Sequence, residues 1–497
     1  MVRSGLGMAS TKRPRILVVG AGPAGLSAGV HLLEKAGRDV SVEIISMGHH
    51  LGGKAASWRD PQGFVIDHGF HAVFGFYEEM KGLLRRAGVD LSRALVKSDG
   101  LFRYYDERSR RVERFQFAHH PLVMLARYGA FPGLTFSERM QLTAAFTRMA
   151  ATVAKTPKLH DLDDICYRAF LAQHGVPASV FRHPMLREAH ELAFNHPYEI
   201  STFVVLKWAA LAGHCYYDAS FDYGAGSFSE QFWDPIGRYF ERLGGTVRLR
   251  QKLVRLEHAD DELTALHFAT PDNAGFHQDG RNVWPTIVPT AAGTELREEG
   301  FAAVICTLPA ACFLELNPGD PLWNHPFFGG MHNLTSVPTL SLQVWLEEET
   351  PGRIDSSIAA LPLPLGYVVD YKRLVPEFAR DDRYGAALEW VGGEVGYEHW
   401  SDERIISGAR AELAKLPGFG GTDQAEPVHV SLRRNRANHN RYLLTDPGTW
   451  QFRPTVQTPL TRLYLAGDWV RNDIVTPSME GAIRTGKAAA QAVLKTL

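Results

Sequence analysis

A chain of 497 residues with 45% hydrophobic and 22% charged content is too long for one simple core, which predicts two intertwined domains able to bury a cofactor. Its formal net charge of -2 and the lack of any Lys/Arg run exclude a nucleic-acid groove. No uncharged apolar stretch of about 18 residues occurs, which excludes a membrane-spanning helix.

Residues 1–14 carry basic side chains but no apolar segment of the kind a signal peptide needs, and are expected to be a disordered tail. Residues 15–19 form an apolar strand, 20–25 a glycine turn, 26–35 a helical pattern and 40–45 a second strand, which together make a βαβ unit. From 119 to 208 the pattern turns to long helices punctuated by Pro121, Pro132, Pro157 and Pro184. A helical pattern at 229–243 leads through Gly244-Gly245 into a strand over 247–256, and another apolar strand spans 302–307. Residues 309–426 mix strands at 340–346 and 366–371 with a helix at 402–415. The last segment, 463–497, holds a strand, a Gly-Asp turn and a terminal helix. The predicted class is α/β: a discontinuous Rossmann-like dinucleotide domain from 15–100, 220–308 and 450–497, with an inserted α+β substrate or cap domain from 101–219 and 309–449. Cys166, Cys215, Cys306 and Cys312 include no C-x-x-C pair, so a reduced, cytoplasmic setting is expected.

Gly20-Ala21-Gly22-Pro23-Ala24-Gly25 follows a strand and opens a helix, the context a dinucleotide fingerprint requires. Bare glycines let the main chain approach a pyrophosphate, and free N–H groups at the helix start attract its charge. An acid about 20 residues further on would hold the ribose hydroxyls. Counting forward gives Glu43, and counting back from Gly52-Gly53 gives Ser46. Ser46 is preferred, because Ile44 and Ile45 still belong to a strand buried on both faces, and the ribose then meets a hydroxyl instead of a carboxylate. Residues 51–58 form a second glycine turn in which Gly53 and the cation Lys54 suit the far side of the same pyrophosphate, the alternative being a solvated hairpin turn.

Near the other end, Gly467-Asp468 closes a strand where the carboxylate can accept hydrogen bonds from a ribityl chain. Thr476 as N-cap and Pro477 at the first helical position predict a helix whose free N–H groups favour the negative charge of a reduced flavin ring. Of the 21 histidines, none has carboxylate or cysteine partners at zinc spacing, so no metal is expected. His71 is either a group that handles a proton or orients substrate, or a packed core histidine. Residues 120–134 are either a monotopic membrane contact or a buried cap over a substrate pocket.

Four segments give the chain a resemblance to the flavin-containing amine oxidase superfamily, whose FAD fold is glutathione reductase-like, and within it to the plant and cyanobacterial carotenoid (phytoene and zeta-carotene) desaturases. They are the 20–25 turn, the run LGGKAASWRDPQGFVIDHGFHAVFG over 51–75, the Asp161-Leu162-Asp163-Asp164-Ile165 run, and the tail from Arg453-Pro454 through LYLAGDW to SMEGAIRTGKAAA. The resemblance implies FAD as cofactor, with contacts from Gly20, Gly22, Pro23, Ala24, Gly25, Gly53, Lys54, Val254, Gly467, Asp468, Met479 and Ala482. It also implies a place beside the isoalloxazine for His68, Gly69, Phe70 and His71.

By the same resemblance the expected reaction is desaturation: an apolar isoprenoid, carotenoid- or squalene-like and drawn from a membrane by peripheral contact, gives a hydride to flavin N5. A quinone or oxygen would take the electrons onward. The scaffold also suits an oxidase of an amine or other small polar metabolite, for which His439, Arg441, Arg471 and Asp473 form a candidate polar set. A non-redox flavin-dependent isomerase or a flavin-binding carrier is the third reading.

Overall fold

The computed structural model describes residues 13–98, 101–106, 108–116, 133–181, 183, 199–214, 221–270, 276–278, 283–285, 295–352, 354, 358–359 and 365–497. Most of the expected tail, most of the 120–134 membrane-or-cap segment, and Cys215 lie outside the described residues.

A five-stranded parallel sheet carries the N-terminal glycine turn. Its order is Thr246–Arg248, Ser41–Ile45, Arg15–Val19, Ala303–Cys306 and Leu463–Leu465, so strands more than 400 positions apart in the chain meet in one sheet. The three inner strands are largely apolar because both faces are covered, and their side chains alternate between the two covers, while Thr246–Arg248 at the edge is partly exposed. Ile16, Val18, Ile44 and Ile305 enter the core beneath helices Pro23–Ala36 and Met479–Leu494. Leu17, Val19, Val304 and Cys306 enter the opposite core, built with Leu253, Leu266, Phe268 and Phe313. The two covering helices approach so closely that a Cβ on Gly486 would lie 2.1 Å from the Ala24 carbonyl oxygen, so glycine is the residue that fits there.

A seven-stranded sheet forms the second half of the molecule, in the order Pro427–Arg434, Thr339–Leu346, Ala386–Gly393, Tyr367–Asp370, Ile358–Ala359, Leu101–Asp106 and Arg111–Gln116. Leu340, Leu342, Val344, Leu388 and Trp390 face helix Asp402–Ala414 and close a core with Ile405 and Leu413. The alternate residues Ser341, Gln343, Glu389 and Arg433 face the other way, toward the chain around Asp67. A helical layer, Phe136–Lys155, Tyr167–Gln173 and Thr202–His214, adds a further apolar core containing Leu142, Phe170, Val204 and Val475.

Two expectations change. The single strand expected over 247–256 is two, Thr246–Arg248 and Lys252–Ala259, in different sheets. Arg250, at a φ of 61°, turns the chain between them, and the Arg250 and Gln251 amides donate to the Gly48 and Ser46 carbonyls. The terminal helix starts at Met479 with Ser478 as N-cap, two residues later than Thr476 and Pro477 predict. Asn472 accepts from the Ile474 and Val475 amides and Val475 takes a φ of 63°, which holds this stretch in a tight turn. The extended Ser478 then accepts from the Gly481 amide at 3.1 Å.

Candidate active site

The N-terminal turn is built around three glycines with different duties. A Cβ on Gly25 would lie 1.9 Å from the Gly20 carbonyl oxygen, so Gly25 permits the tight return of helix onto strand. Gly20 itself has a φ of 114°, and its amide donates to the Ile45 carbonyl. Gly22 is the helix N-cap and carries no side chain to satisfy the first N–H groups of Pro23–Ala36. A Cβ there would meet nothing nearer than the Gly53 Cα, at 3.9 Å. The space beside Gly22 is thus free of protein, and the helix dipole points at it.

The second glycine turn is tied to the first, since the Gly52 amide donates to the Ala21 carbonyl at 2.8 Å. Trp233 fixes it from behind: its indole stands where a Cβ on Gly52 would be, and its Nε1 donates to the Ala55 carbonyl at 2.7 Å. A Cβ on Gly53 would lie 3.1 Å from the Gly22 Cα, so the two glycine turns meet beside Pro23 and Ala24 at the start of the helix.

Ser46 is the residue immediately beyond strand Ser41–Ile45, half-buried, with its hydroxyl 3.4 Å from the Gly48 amide. Glu43 lies inside that strand and is committed elsewhere: Arg15 at 2.8 Å and Arg248 at 3.1 Å hold it, and both arginines also bind Glu298. Val254 falls at a register break between Leu253 and Arg255, outside the pairing ladder with Glu262–Ala269. That break leaves its main chain available to a ligand edge.

At the chain's other end, Gly467 has a φ of 146° and is pinned by Thr485, whose hydroxyl accepts from the Gly467 amide at 2.9 Å and lies 3.0 Å from its carbonyl. Asp468 follows, and its carboxylate stands 3.3 Å from the Lys54 ammonium, which also donates to the Arg441 carbonyl. Met479 and Ala482 are buried in the first turn of the terminal helix. Lys54 and Asp468 thus join the two ends of the chain at one place.

His68, Gly69, Phe70 and His71 lie between the cleft and the seven-stranded sheet. A Cβ on Gly69 would reach Ser341 and Val391 of that sheet at 3.9 Å. Phe70 packs at the junction of two apolar clusters. Burial pushes His71 down to about 4, offset in part by the Lys54 and Gly69 main chain, so the ring is neutral at neutral pH and its Nδ1 has no hydrogen-bond partner. Burial, with Arg433, His71 and His439 nearby, holds His68 well below its ordinary value.

Sequence reasoning missed the polar group beneath this motif. Asp67, Glu389 and Arg433 are all buried, Ser341 donates to Glu389 at 3.2 Å, and Gln343 accepts from the Asp67 amide at 3.2 Å. Burial pushes Asp67 up to about 7 against the pull of Arg433, and raises Glu389 with Asp67 adding to the effect. Polar residues alternating with Leu in strand Thr339–Leu346 are the signal that marks this face. The four residues of the candidate polar set are not bonded to one another: His439 is half-buried, Arg441 donates to Asn438, and the exposed Arg471 and Asp473 bind Gln451 and Arg484. Asp163 has a structural partner set, accepting from Ser201 at 2.6 Å and from the Trp450 amide at 2.9 Å.

The donor set fits a dinucleotide: bare glycines, an uncapped helix N-terminus, the cation Lys54 and the carboxylate Asp468. Among the described residues no group of three or more His, Cys, Asp or Glu could hold a metal ion, and no helix is long and apolar enough to cross a membrane.

Comparison with known proteins places the chain among flavin-dependent oxidoreductases. The 15-cis-phytoene desaturase of Solanum lycopersicum is 24% identical over 98% of this chain and 78% of its own length. That of Synechococcus elongatus is 24% identical over 97% of this chain and 96% of its own length. Among solved structures, putrescine oxidase bound to putrescine superposes with a TM-score of 0.69 at 16% identity, covering 97% of this chain and 99% of its own. The family described as flavin containing amine oxidoreductase matches residues 23–494, and the chain belongs to that family, an FAD-dependent oxidoreductase.

Proposed function

We propose that this oxidoreductase is a desaturase of a long, apolar isoprenoid of the phytoene type. What supports the reading most is the similarity to 15-cis-phytoene desaturases along almost the whole chain. The site agrees in character. Phe70 and Val475 belong to the apolar core of the helical layer, next to the His68–His71 run, so a hydrocarbon chain lodged there would stay out of water.

When bound, FAD supplies a hydride acceptor at N5. Gly22, Gly53 and Lys54 would hold its pyrophosphate, Ser46 its ribose and Asp468 its ribityl chain, with the Val254 main chain as a further contact. The neutral His71, buried beside the Lys54 and Gly69 main chain, would orient the substrate or take up its proton. Desaturation removes a hydride and a proton from neighbouring carbons, and a quinone or oxygen accepts the electrons afterwards. Substrate is drawn from a membrane surface by peripheral contact.

A second reading, oxidation of an amine, is favoured by one observation: Asp67 keeps a buried carboxyl oxygen without a hydrogen-bond partner, an acceptor that an ammonium donor would satisfy. Incubation of the FAD-loaded protein with phytoene in liposomes and a quinone, followed by mass spectrometry, separates the two. The desaturase reading expects a product lighter by a pair of hydrogens. Unchanged phytoene, together with hydrogen peroxide released from putrescine, contradicts it.

A further inference from the structure

Arg453 is buried, with 2% of its surface exposed, on the segment that leads into the last strand of the parallel sheet. A guanidinium offers five N–H donors, and in the protein interior each needs an acceptor. Its Nη1 has none, and the group lies 5.4 Å from the centre of the Trp450 ring.

The charged and polar groups around it are already engaged. Asp468 is held by Lys54 at 3.3 Å. Asp163 accepts from Ser201 and Trp450. The Tyr442 hydroxyl donates to the Pro477 carbonyl at 3.3 Å. These three feel the charge of Arg453 without satisfying its donors. Burial lowers Arg453 to about 10, which still leaves it a full cation at neutral pH. An unpaired cation in the interior is strongly unfavourable, so the native chain keeps it for an acceptor that binds there.

Two of the neighbours say where that acceptor sits. Asp468 belongs to the turn that closes strand Leu463–Leu465, and Tyr442 lies against Pro477, one residue before the N-cap of the terminal helix. With Asp468 at the ribityl chain, as proposed above, these two elements would border the flavin ring. We infer that Arg453 is a direct ligand of the bound FAD, donating to an oxygen of the flavin's pyrimidine ring and stabilising the negative charge the ring gains on reduction. A fixed cation placed where charge develops acts through preorganisation, because nothing has to move when the charge appears.

Sulfite, which adds to oxidised flavin as an anion, probes this charge without any substrate, so the result stands apart from the desaturase reading. The FAD-loaded wild type, Arg453→Met and Arg453→Lys chains are titrated with sulfite and their midpoint potentials measured. R453M is expected to bind sulfite at least tenfold more weakly with a lower potential, or to lose FAD while remaining folded by circular dichroism. R453K, which keeps the charge, should recover most of the sulfite affinity. A folded R453M with wild-type FAD content, sulfite affinity and potential overturns the inference. If R453M does not fold, wild-type protein labelled with 15N-arginine decides: one side-chain resonance, missing from R453K, must move when the flavin is reduced. Absence of such a resonance overturns the inference equally.

Discussion

The Lys54 ammonium stands 3.3 Å from the Asp468 carboxylate, joining positions 414 residues apart. Lys54 rides on the second glycine turn and Asp468 on the turn that ends the last strand, so the contact draws these two turns together. Because both side chains are partly exposed, at 30% and 17%, their mutual attraction is worth less than about 1 kcal/mol. Their importance lies in what each offers a ligand. Lys54→Met and Asp468→Ala are each expected to weaken FAD binding by roughly tenfold to a hundredfold, as a hydrogen bond to a charged group implies. Titration of the apoprotein with FAD checks this, and full occupancy in D468A counts against its place in the site.

Gly22 and Gly25 should respond oppositely to enlargement. Gly22 has an ordinary φ of -78° and open space around its missing Cβ, so Gly22→Val leaves the fold intact and removes FAD by filling the pyrophosphate's place. A Cβ on Gly25 would strike the Gly20 carbonyl oxygen, so Gly25→Ala costs a few kcal/mol of stability, as overpacking does. Thermal melts of the apoproteins beside their flavin content distinguish a ligand glycine from a packing one. Normal flavin content in G22V would make that turn purely structural.

Glu43 and Ser46 divide in a comparable way. Glu43 is locked among Arg15, Arg248 and Glu298, so Glu43→Gln should cost about 1 kcal/mol of stability and leave FAD affinity unchanged. Ser46→Ala should weaken FAD severalfold with little effect on stability, since the hydroxyl has one long contact to the protein. The reverse pattern would return the ribose to Glu43.

The buried histidine and carboxyl give stability two opposite pH dependences. His71 titrates near 6.5 when unfolded and about 4 when folded, so its contribution is present above pH 6.5 and disappears as pH falls to about 4, a difference of about 3 kcal/mol. His71→Asn should flatten that acid limb of the stability curve. Asp67 runs the other way: raised from 3.8 to about 7, it keeps its proton in the folded chain after the unfolded chain has lost it, so stability falls as pH rises through that window. Asp67→Asn should therefore gain stability relative to wild type as pH rises from 4 to 7. Denaturant midpoints across pH 4–8 measure both slopes.

Much of this architecture is visible in the residues because local chemistry dictates it. The parallel strands appear as apolar runs, and Gly20 to Gly25 needs its strand and helix on either side. The beginning of the terminal helix was misplaced because Pro477 suits a first helical turn on propensity, whereas Asn472 captures the Ile474 and Val475 amides in a turn that only tertiary packing selects. Arg433, Glu389 and Asp67 were not anticipated, since strands distant in the chain bring them onto one face. The same holds for Thr485, whose hold on Gly467 depends on how the terminal helix docks.

Anaerobic mixing of the FAD-loaded protein with a linear carotene precursor in detergent tests the central claim most directly. The account predicts that the visible absorption of the oxidised flavin bleaches, and that a polar amine such as putrescine leaves it unchanged. Bleaching by the amine and none by the carotene precursor would contradict it.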